Sequence, residues 1–324
     1  MRFKIFIALI ILLTSFQIAS AEYKTTATLS PVLGRGFGHS NYEMNTLVSA
    51  DSIVVYARSK LEFPMDVFWA GGSLEFNYIS NGRTDWSGNI SLVTNINNPT
   101  GKMKDSDWFS SPGYQELQFA YTESDVTMSA IMLNAELSRR FYSWSNASTY
   151  LTLGLRYQKI DQDIINFSGW QLDENLEKVY YTYNDLAMLY TVKYIMPTVG
   201  LKYRLDINQK SSFAVSAAYA FTYAEDVDDH VLRYKISTAD GTGAGFLGRI
   251  NYYNELGKPN LQSRPFFSLY ADFFTAKIST GQTQTWYGDD PISDEDDTGT
   301  VIKDIPHEIT STQFQMGLNF GLAF

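Results

Sequence analysis

The last twelve residues, Gln313-Phe314-Gln315-Met316-Gly317-Leu318-Asn319-Phe320-Gly321-Leu322-Ala323-Phe324, alternate strictly with a period of two. Phe314, Met316, Leu318, Phe320, Leu322 and Phe324 fall on one face, and Gln313, Gln315, Gly317, Asn319, Gly321 and Ala323 on the other. Successive side chains of a strand point to opposite faces. The stretch therefore reads as one strand with an apolar face and a small or polar face, sustained for longer than a soluble sandwich keeps such a pattern.

The pattern recurs upstream. Phe213, Val215, Ala217, Tyr219, Phe221 and Tyr223 share a face, with Ala214, Ser216, Ala218, Ala220 and Thr222 opposite. Ile131, Leu133, Ala135 and Leu137 repeat it, as do Leu151, Leu153, Leu155 and Tyr157. After residue 21 no segment offers the roughly 20 consecutive apolar residues that a spanning helix needs, so a membrane would have to be crossed by strands. The aromatic content, 22 Tyr, 21 Phe and 6 Trp at a mean hydropathy of −0.19, suits the aromatic girdles of such a barrel. Short polar breaks near 80–85, 143–148, 206–211 and 255–264 alternate with longer ones near 34–50, 96–114, 168–185, 225–243 and 286–306. Bacterial barrels alternate short periplasmic turns with long outer loops. The expected fold is all-β, a ten-stranded antiparallel transmembrane β-barrel with long extracellular loops, and Trp86 and Trp144 near its periplasmic rim. An aromatic terminal residue such as Phe324 resembles the end strand that the insertion machinery of Gram-negative outer membranes recognises.

Residues 1–21 read as a secretory signal peptide, with Arg2 and Lys4 before the apolar run Ile5 to Leu13 and Ala19-Ser20-Ala21 as a small-residue cleavage site. Residues 22–324 then form one barrel domain. Removing Arg2 and Lys4 leaves 23 basic against 35 acidic residues, a charge of −12, which speaks against nucleic acid as a partner and suits a basic ligand. The chain has no cysteine, so disulfides, thiolate metal sites and cysteine nucleophiles are excluded.

Two polar stretches carry chemistry. Met103-Lys104-Asp105-Ser106-Asp107-Trp108 falls in the second outer segment, and Glu225-Asp226-Val227-Asp228-Asp229-His230 in the fourth. Closing the barrel can place both at one mouth. Of the three histidines, His39, His230 and His307, only His230 has a carboxylate two residues before it on the same extended face. An aspartate bonded to one ring nitrogen fixes the tautomer and raises the basicity of the other. Asp105 and Asp107 also share a face, where like charges raise one pKa. A water between such a pair and His230 is polarised for attack on a peptide carbonyl.

These residues resemble the omptins, ten-stranded outer-membrane proteases. Asp105-Ser106-Asp107-Trp108 is similar to their Asp-x-Asp-Trp, and Asp226-Val227-Asp228-Asp229-His230 to their Asp-x-Asp-x-His. Met196-Pro197-Thr198-Val199-Gly200-Leu201, Ser59-Lys60-Leu61-Glu62-Phe63, Tyr157-Gln158 and Gly317-Leu318 follow in order. The resemblance implies an aspartic-type endopeptidase in which Asp228 and His230 form the catalytic dyad, Asp105 and Asp107 the facing pair, and the attacking water lies between His230 and Asp105. It implies that Asp226 lines a pocket for a basic side chain just before the scissile bond, with Glu43 as the candidate for a first-loop glutamate. It further implies no metal and no cofactor, a monomer in the outer membrane of a Gram-negative bacterium with the site facing outward, extracellular polypeptides as substrates, and outer-membrane lipid as a partner. The family's lipopolysaccharide run Tyr-Gln-Glu-x-Arg reads Tyr157-Gln158-Lys159-Ile160-Asp161 here, with both charges altered, and Lys193 stands on the neighbouring strand. The acidic tract Asp289 to Asp297 has no counterpart in the family pattern and reads as a solvated loop, with cation binding or attraction of basic substrates as the alternative.

Two other readings compete. One is a non-enzymatic barrel, a narrow porin or an adhesin with acidic loops, since a fold does not fix a function. The other is a divalent metal held by Asp105, Asp107, Asp228 and His230.

Overall fold

The computed structural model describes residues 23–50, 53–113, 115–256, 263–291, 293 and 296–324; the signal segment expected over 1–21 lies outside them. The described residues form one antiparallel sheet closed on itself. Its strands are β1 (Tyr23–Ala50), β2 (Ile53–Pro64), β3 (Phe68–Ser80), β4 (Arg83–Asn95), β5 (Met103–Ser110), β6 (Leu117–Trp144), β7 (Ala147–Leu172), β8 (Lys178–Asp206), β9 (Ser211–His230), β10 (Lys235–Glu255), β11 (Arg264–Trp286) and β12 (Val301–Ala323). Closure comes from β1 pairing with β12 along Thr28↔Ala323 to Met44↔His307.

Although twelve segments are present, the ring has ten strands on either side of two breaks. In the half that carries the short turns, β1 pairs with β3, β3 with β4 and β4 with β6. In the other half the same gap is filled by β2 and β5, through β1–β2, β2–β5 and β5–β6. The second and third strands of the barrel are thus each broken once, at 65–67 and at 96–102. Pro64 cannot donate to a ladder, which suits the end of β2. Asp66, inside the first break, accepts the backbone N–H groups of Thr100 and Gly101 from the second at 3.0 and 3.1 Å. One carboxylate therefore ties both breaks together and sets where β5 begins.

The short turns expected near 80–85, 143–148 and 206–211 lie where the sequence places them; of the fourth, 255–264, residues 257–262 lie outside the described residues. The outer loops differ: residues 34–50, the stretch 103–110 within 96–114, most of 168–185 and 225–243, and 286 with 301–306 at the ends of the last segment are strand. The strands run on past the apolar band, because their inward residues continue to alternate and to find partners across the lumen.

The outward face of the short-turn half is apolar on adjoining strands. Leu33, Leu201, Phe221, Leu269, Met316 and Phe320 are all exposed. A continuous band of this kind is costly in water and suits hydrocarbon. Inside that half the lumen is polar, with Lys202 bound to Glu136 at 2.9 Å and Arg249 to Asp272 at 2.5 and 2.7 Å. Higher up, the walls touch. Gln158 on β7 hydrogen-bonds Gln313 on β12, across the ring, at 3.0 Å. Phe63 on β2 stacks on Tyr190 on β8, with centroids 3.9 Å apart and planes within 5°. Ten strands leave just enough interior for side chains to fill, and here they do.

Leu318 sits at the middle of the outward band of β12, flanked by Met316 and Phe320. Leu318→Arg is expected to lower barrel stability by about 2–4 kcal/mol, measured by urea unfolding in lipid vesicles. Asn319→Ser, on the lumen side of the same strand, should change it far less.

Candidate active site

The site end is built from strand parity and two local devices. On β9, Ala224, Asp226 and Asp228 point inward and are buried, and His230 follows at the rim. A single 3-10 turn, Val231–Arg233, then reverses the chain, with Tyr234 in the left-handed region at φ 47°. This tight reversal pairs Lys235 with His230 across β9 and β10, so a buried lysine enters the same cleft. Facing it, β5 lies between β2 and β6, with Asp105 opposite Leu61 and Asp107 opposite Ser59. The β5–β6 ladder slips between Asp107 and Trp108. There the Trp108 ring lies under the Arg58 guanidinium, 3.8 Å from its centroid, and Arg58 binds Glu116 through two 2.8 Å hydrogen bonds. The tryptophan of the motif thus clamps β5 to β2.

His230 Nε2 lies 2.8 Å from Asp228 Oδ2. The Tyr42 hydroxyl, reaching from β1, donates to the same Asp228 oxygen. All these groups lie beyond the apolar band, outside the membrane-spanning segments. Burial opposes ionisation of Asp228, but the charge and hydrogen bond of His230, with the Tyr42 hydroxyl, outweigh it and hold the carboxyl below its ordinary value. Tyr42 is pushed up by burial and then by Asp228.

The facing pair behaves in the opposite way. Burial first, then the charges of Asp107 and Asp228, push the Asp105 carboxyl well above the ordinary range, against Lys235 and Arg233. Asp107 is also raised by burial, opposed by a Ser59 hydrogen bond and by the positive charges of His230, Lys235 and Arg233. Each wall therefore feels the other's charges, and the fold brings Asp105, Asp107, Asp228 and His230 into one cleft.

The predicted pocket is different. Asp226 is buried, but its Oδ2 lies 2.9 Å from Nε2 of His307, also buried, on β12. Burial raises the Asp226 carboxyl, and His307 draws it back. Glu43 does not join it. The alternation that buries Tyr42 turns Glu43 to the outer face, where its carboxylate is 3.9 Å from Arg58. His39 is exposed on the outside of β1. In the acidic tract, Asp290 is buried and accepts from Arg233 Nε at 2.9 Å and from Trp286 Nε1 at 3.3 Å; it anchors the β9–β10 turn and is no solvated tip. Tyr42, Lys235 and Arg233 escaped the sequence reading, because none belongs to a spaced motif. Parity alone could have put Tyr42 and Lys235 inside, once the registers of β1 and β10 were known.

No protein-family model matches this sequence, and no curated protein does. Among solved structures, the outer membrane protease OmpT from Escherichia coli superposes with a TM-score of 0.72 at 12% identity, over 96% of this chain and 99% of that one. OprG from Pseudomonas aeruginosa (11% identity, 94% and 98% coverage) and the NalP translocator domain from Neisseria meningitidis (8%, 98% and 94%) reach only 0.30 and 0.32, too low to carry weight. The likeness to OmpT shows a shared ten-stranded barrel fold.

Because the folded chain keeps the Asp105 proton to higher pH than the unfolded chain, Asp105 costs stability as pH rises above about 3.9, its unfolded value, until its raised folded value is passed. Asp105→Asn should therefore raise the thermal unfolding midpoint in detergent at pH 7, with the gain vanishing below about pH 4.

Proposed function

We propose that this barrel is an outer-membrane endopeptidase whose nucleophile is a water held between His230 and Asp105. The observation that carries the reading is the Asp228–His230 contact of 2.8 Å, with the Asp228 carboxyl held below its ordinary value and facing an acid pair whose carboxyls burial raises. With Nε2 on Asp228, the Nδ1 nitrogen of His230 is left to take a proton from water. Asp228 and Tyr42 fix the ring and stabilise the imidazolium. Asp105, with Asp107, orients the water from the opposite wall. The water oxygen attacks the peptide carbonyl carbon, and the imidazolium returns its proton to the leaving amine. Lys235 and Arg233 place positive charge where the oxyanion develops.

The short-turn end takes the periplasmic side and the site end the exterior, by analogy with bacterial barrels. Extracellular polypeptides are then the substrates, met by a monomer in the outer membrane of a Gram-negative bacterium. At the outer rim, Lys159 is bound to Asp161 at 2.7 Å and Lys193 to Glu225 at 3.1 Å. Neither lysine is free for a lipid phosphate, so activity without lipopolysaccharide is part of the proposal. A narrow porin is disfavoured by the Gln158–Gln313 contact across the lumen.

In a quenched-fluorescence peptide library, the purified barrel should cleave internal bonds. His230→Ala should lose about 10²–10⁴-fold in kcat while remaining heat-modifiable on gels. Unchanged turnover in that variant contradicts the mechanism, and a folded barrel that cleaves nothing favours an adhesin. Addition of a chelator should leave the rate unchanged; its loss, restored by a divalent ion, would support the metal reading instead.

A further inference from the structure

Neighbouring strands of the barrel end at different heights beside the cleft. β9 pairs with β8 only as far as Asp229↔Leu189, and the 3-10 turn Val231–Arg233 then takes the chain over to β10. β8 remains strand up to Lys178, held on its other side by β7 as far as Leu172↔Lys178. Among the described residues, 178–188 is therefore an open sheet edge, reaching roughly 30 Å beyond the last β9 pair at ~3.3 Å per residue. Long exposed edges offer unpaired N–H and C=O groups to any extended chain, and proteins commonly blunt them with prolines or charges. Val179-Tyr180-Tyr181-Thr182-Tyr183 has neither and consists of strong strand formers. Val179, Tyr180 and Tyr183 are exposed, and charges stand only at either side, at Lys178 and Asp185.

The edge leads to the candidate site. A strand laid against 178–188 continues the line of β9, so its lower end arrives at His230, the last residue of β9. Direct ladder partners run from Asp105 to Thr122, from Thr122 to Gly169 and from Gly169 to Tyr181. Opposite partners share a face of the sheet, which puts Tyr181 on the face that carries Asp105. Burial, then the charges of Asp105 and Asp107, push the Tyr181 hydroxyl up, so that face looks into the same cleft. Tyr183 follows two residues on, and the Phe167 ring packs against both tyrosines, with centroids 5.8 Å from Tyr181 and 5.5 Å from Tyr183.

We propose that the open edge of β8 over 178–188 takes an extended, unfolded polypeptide as one further antiparallel strand and leads its scissile bond down to His230. Both pairings of β8 are antiparallel, and an antiparallel guest runs in the direction of β9, so the residues that follow the scissile bond lie on the edge. Backbone hydrogen bonds supply the affinity in such strand addition. Tyr181 and Tyr183 then meet every second side chain of the guest on the cleft side. Delivery to His230 rests on the endopeptidase reading; the docking of an extended chain does not.

The test reads binding without turnover, on the His230→Ala barrel in detergent. The probe is a fluorescein-labelled peptide of about twelve residues alternating Thr and Gln, uncharged and long enough to span the edge. A second version is N-methylated at every other residue, which leaves one side of the peptide its donors, and a third at every residue. Fluorescence anisotropy should show the first two binding and the third at least about tenfold weaker, because its backbone donors are gone. Hydrogen exchange read by mass spectrometry should show the unmethylated probe slowing amides within 178–188. No binding of that probe, binding that survives full methylation, or binding that leaves 178–188 unprotected overturns the proposal. So does a free barrel that sediments as a dimer with 178–188 already protected, since the edge then belongs to a second copy. In wild-type kinetics, lengthening a cleaved peptide by about eight residues after its scissile bond should lower KM at least about tenfold with kcat unchanged, and the same extension before the bond should not; the reverse overturns the direction of docking. If no peptide is cleaved, the endopeptidase reading fails, and anisotropy and exchange still decide whether the edge takes an extended chain.

Discussion

The contact between walls above the apolar band holds the site together. Tyr42 from β1 donates to Asp228 on β9, and Phe63 from β2 stacks on Tyr190 from β8. A barrel of ten strands can flatten until opposite walls meet, and side chains of this size set how far it flattens. An aromatic stack of this kind adds about 0.5–1.5 kcal/mol beyond the area it buries. Its larger consequence is geometric. With β2 pressed against β8, β5 beside β2 is held opposite β9 beside β8, and Asp105 and Asp107 must face Asp228 and His230.

That arrangement buries charge at a cost to stability. Asp105 and Asp107 are both raised by burial, and Lys235 is lowered by it. Such opposed shifts within one cleft are typical of sites arranged for proton transfer, though ion-pair networks also produce them. What distinguishes this cleft is that its two walls are shifted in opposite senses, Asp228 down and Asp105 up. One carboxylate is favoured as the anion that supports an imidazolium, while burial disfavours the anion of the other. The deeper Asp226–His307 pair repeats the contact of an acid with an imidazole, with both partners buried.

Much of this was legible in the sequence, and for identifiable reasons. The alternation through Phe314 to Phe324 and Phe213 to Tyr223 revealed the strands and their lipid face, since a two-residue period survives any register. The short turns near 80–85, 143–148 and 206–211 were visible as polar breaks. Asp105, Asp107, Asp228 and His230 could be paired because each motif keeps its own parity and the topology sends both to one end. The length of the strands beyond the membrane was hidden: 225–230 carries five charges or imidazoles and looks like a loop, yet pairs on both sides within the wall. Glu43 was misplaced for the same reason, because its face depends on its being strand, next to Tyr42. His307 was seen and left without a role, as its partner lies 81 residues away and only the β1–β12 closure brings it in.

The central claim is that His230 and Asp105, on opposite walls, act on a single water. A double-mutant cycle in kcat/KM measures this directly, using His230→Ala, Asp105→Asn and the combination on one peptide. Two groups serving one water are non-additive, so the double variant should lose no more than the worse single variant. Losses that multiply would mean that the two residues act independently, and would contradict the account.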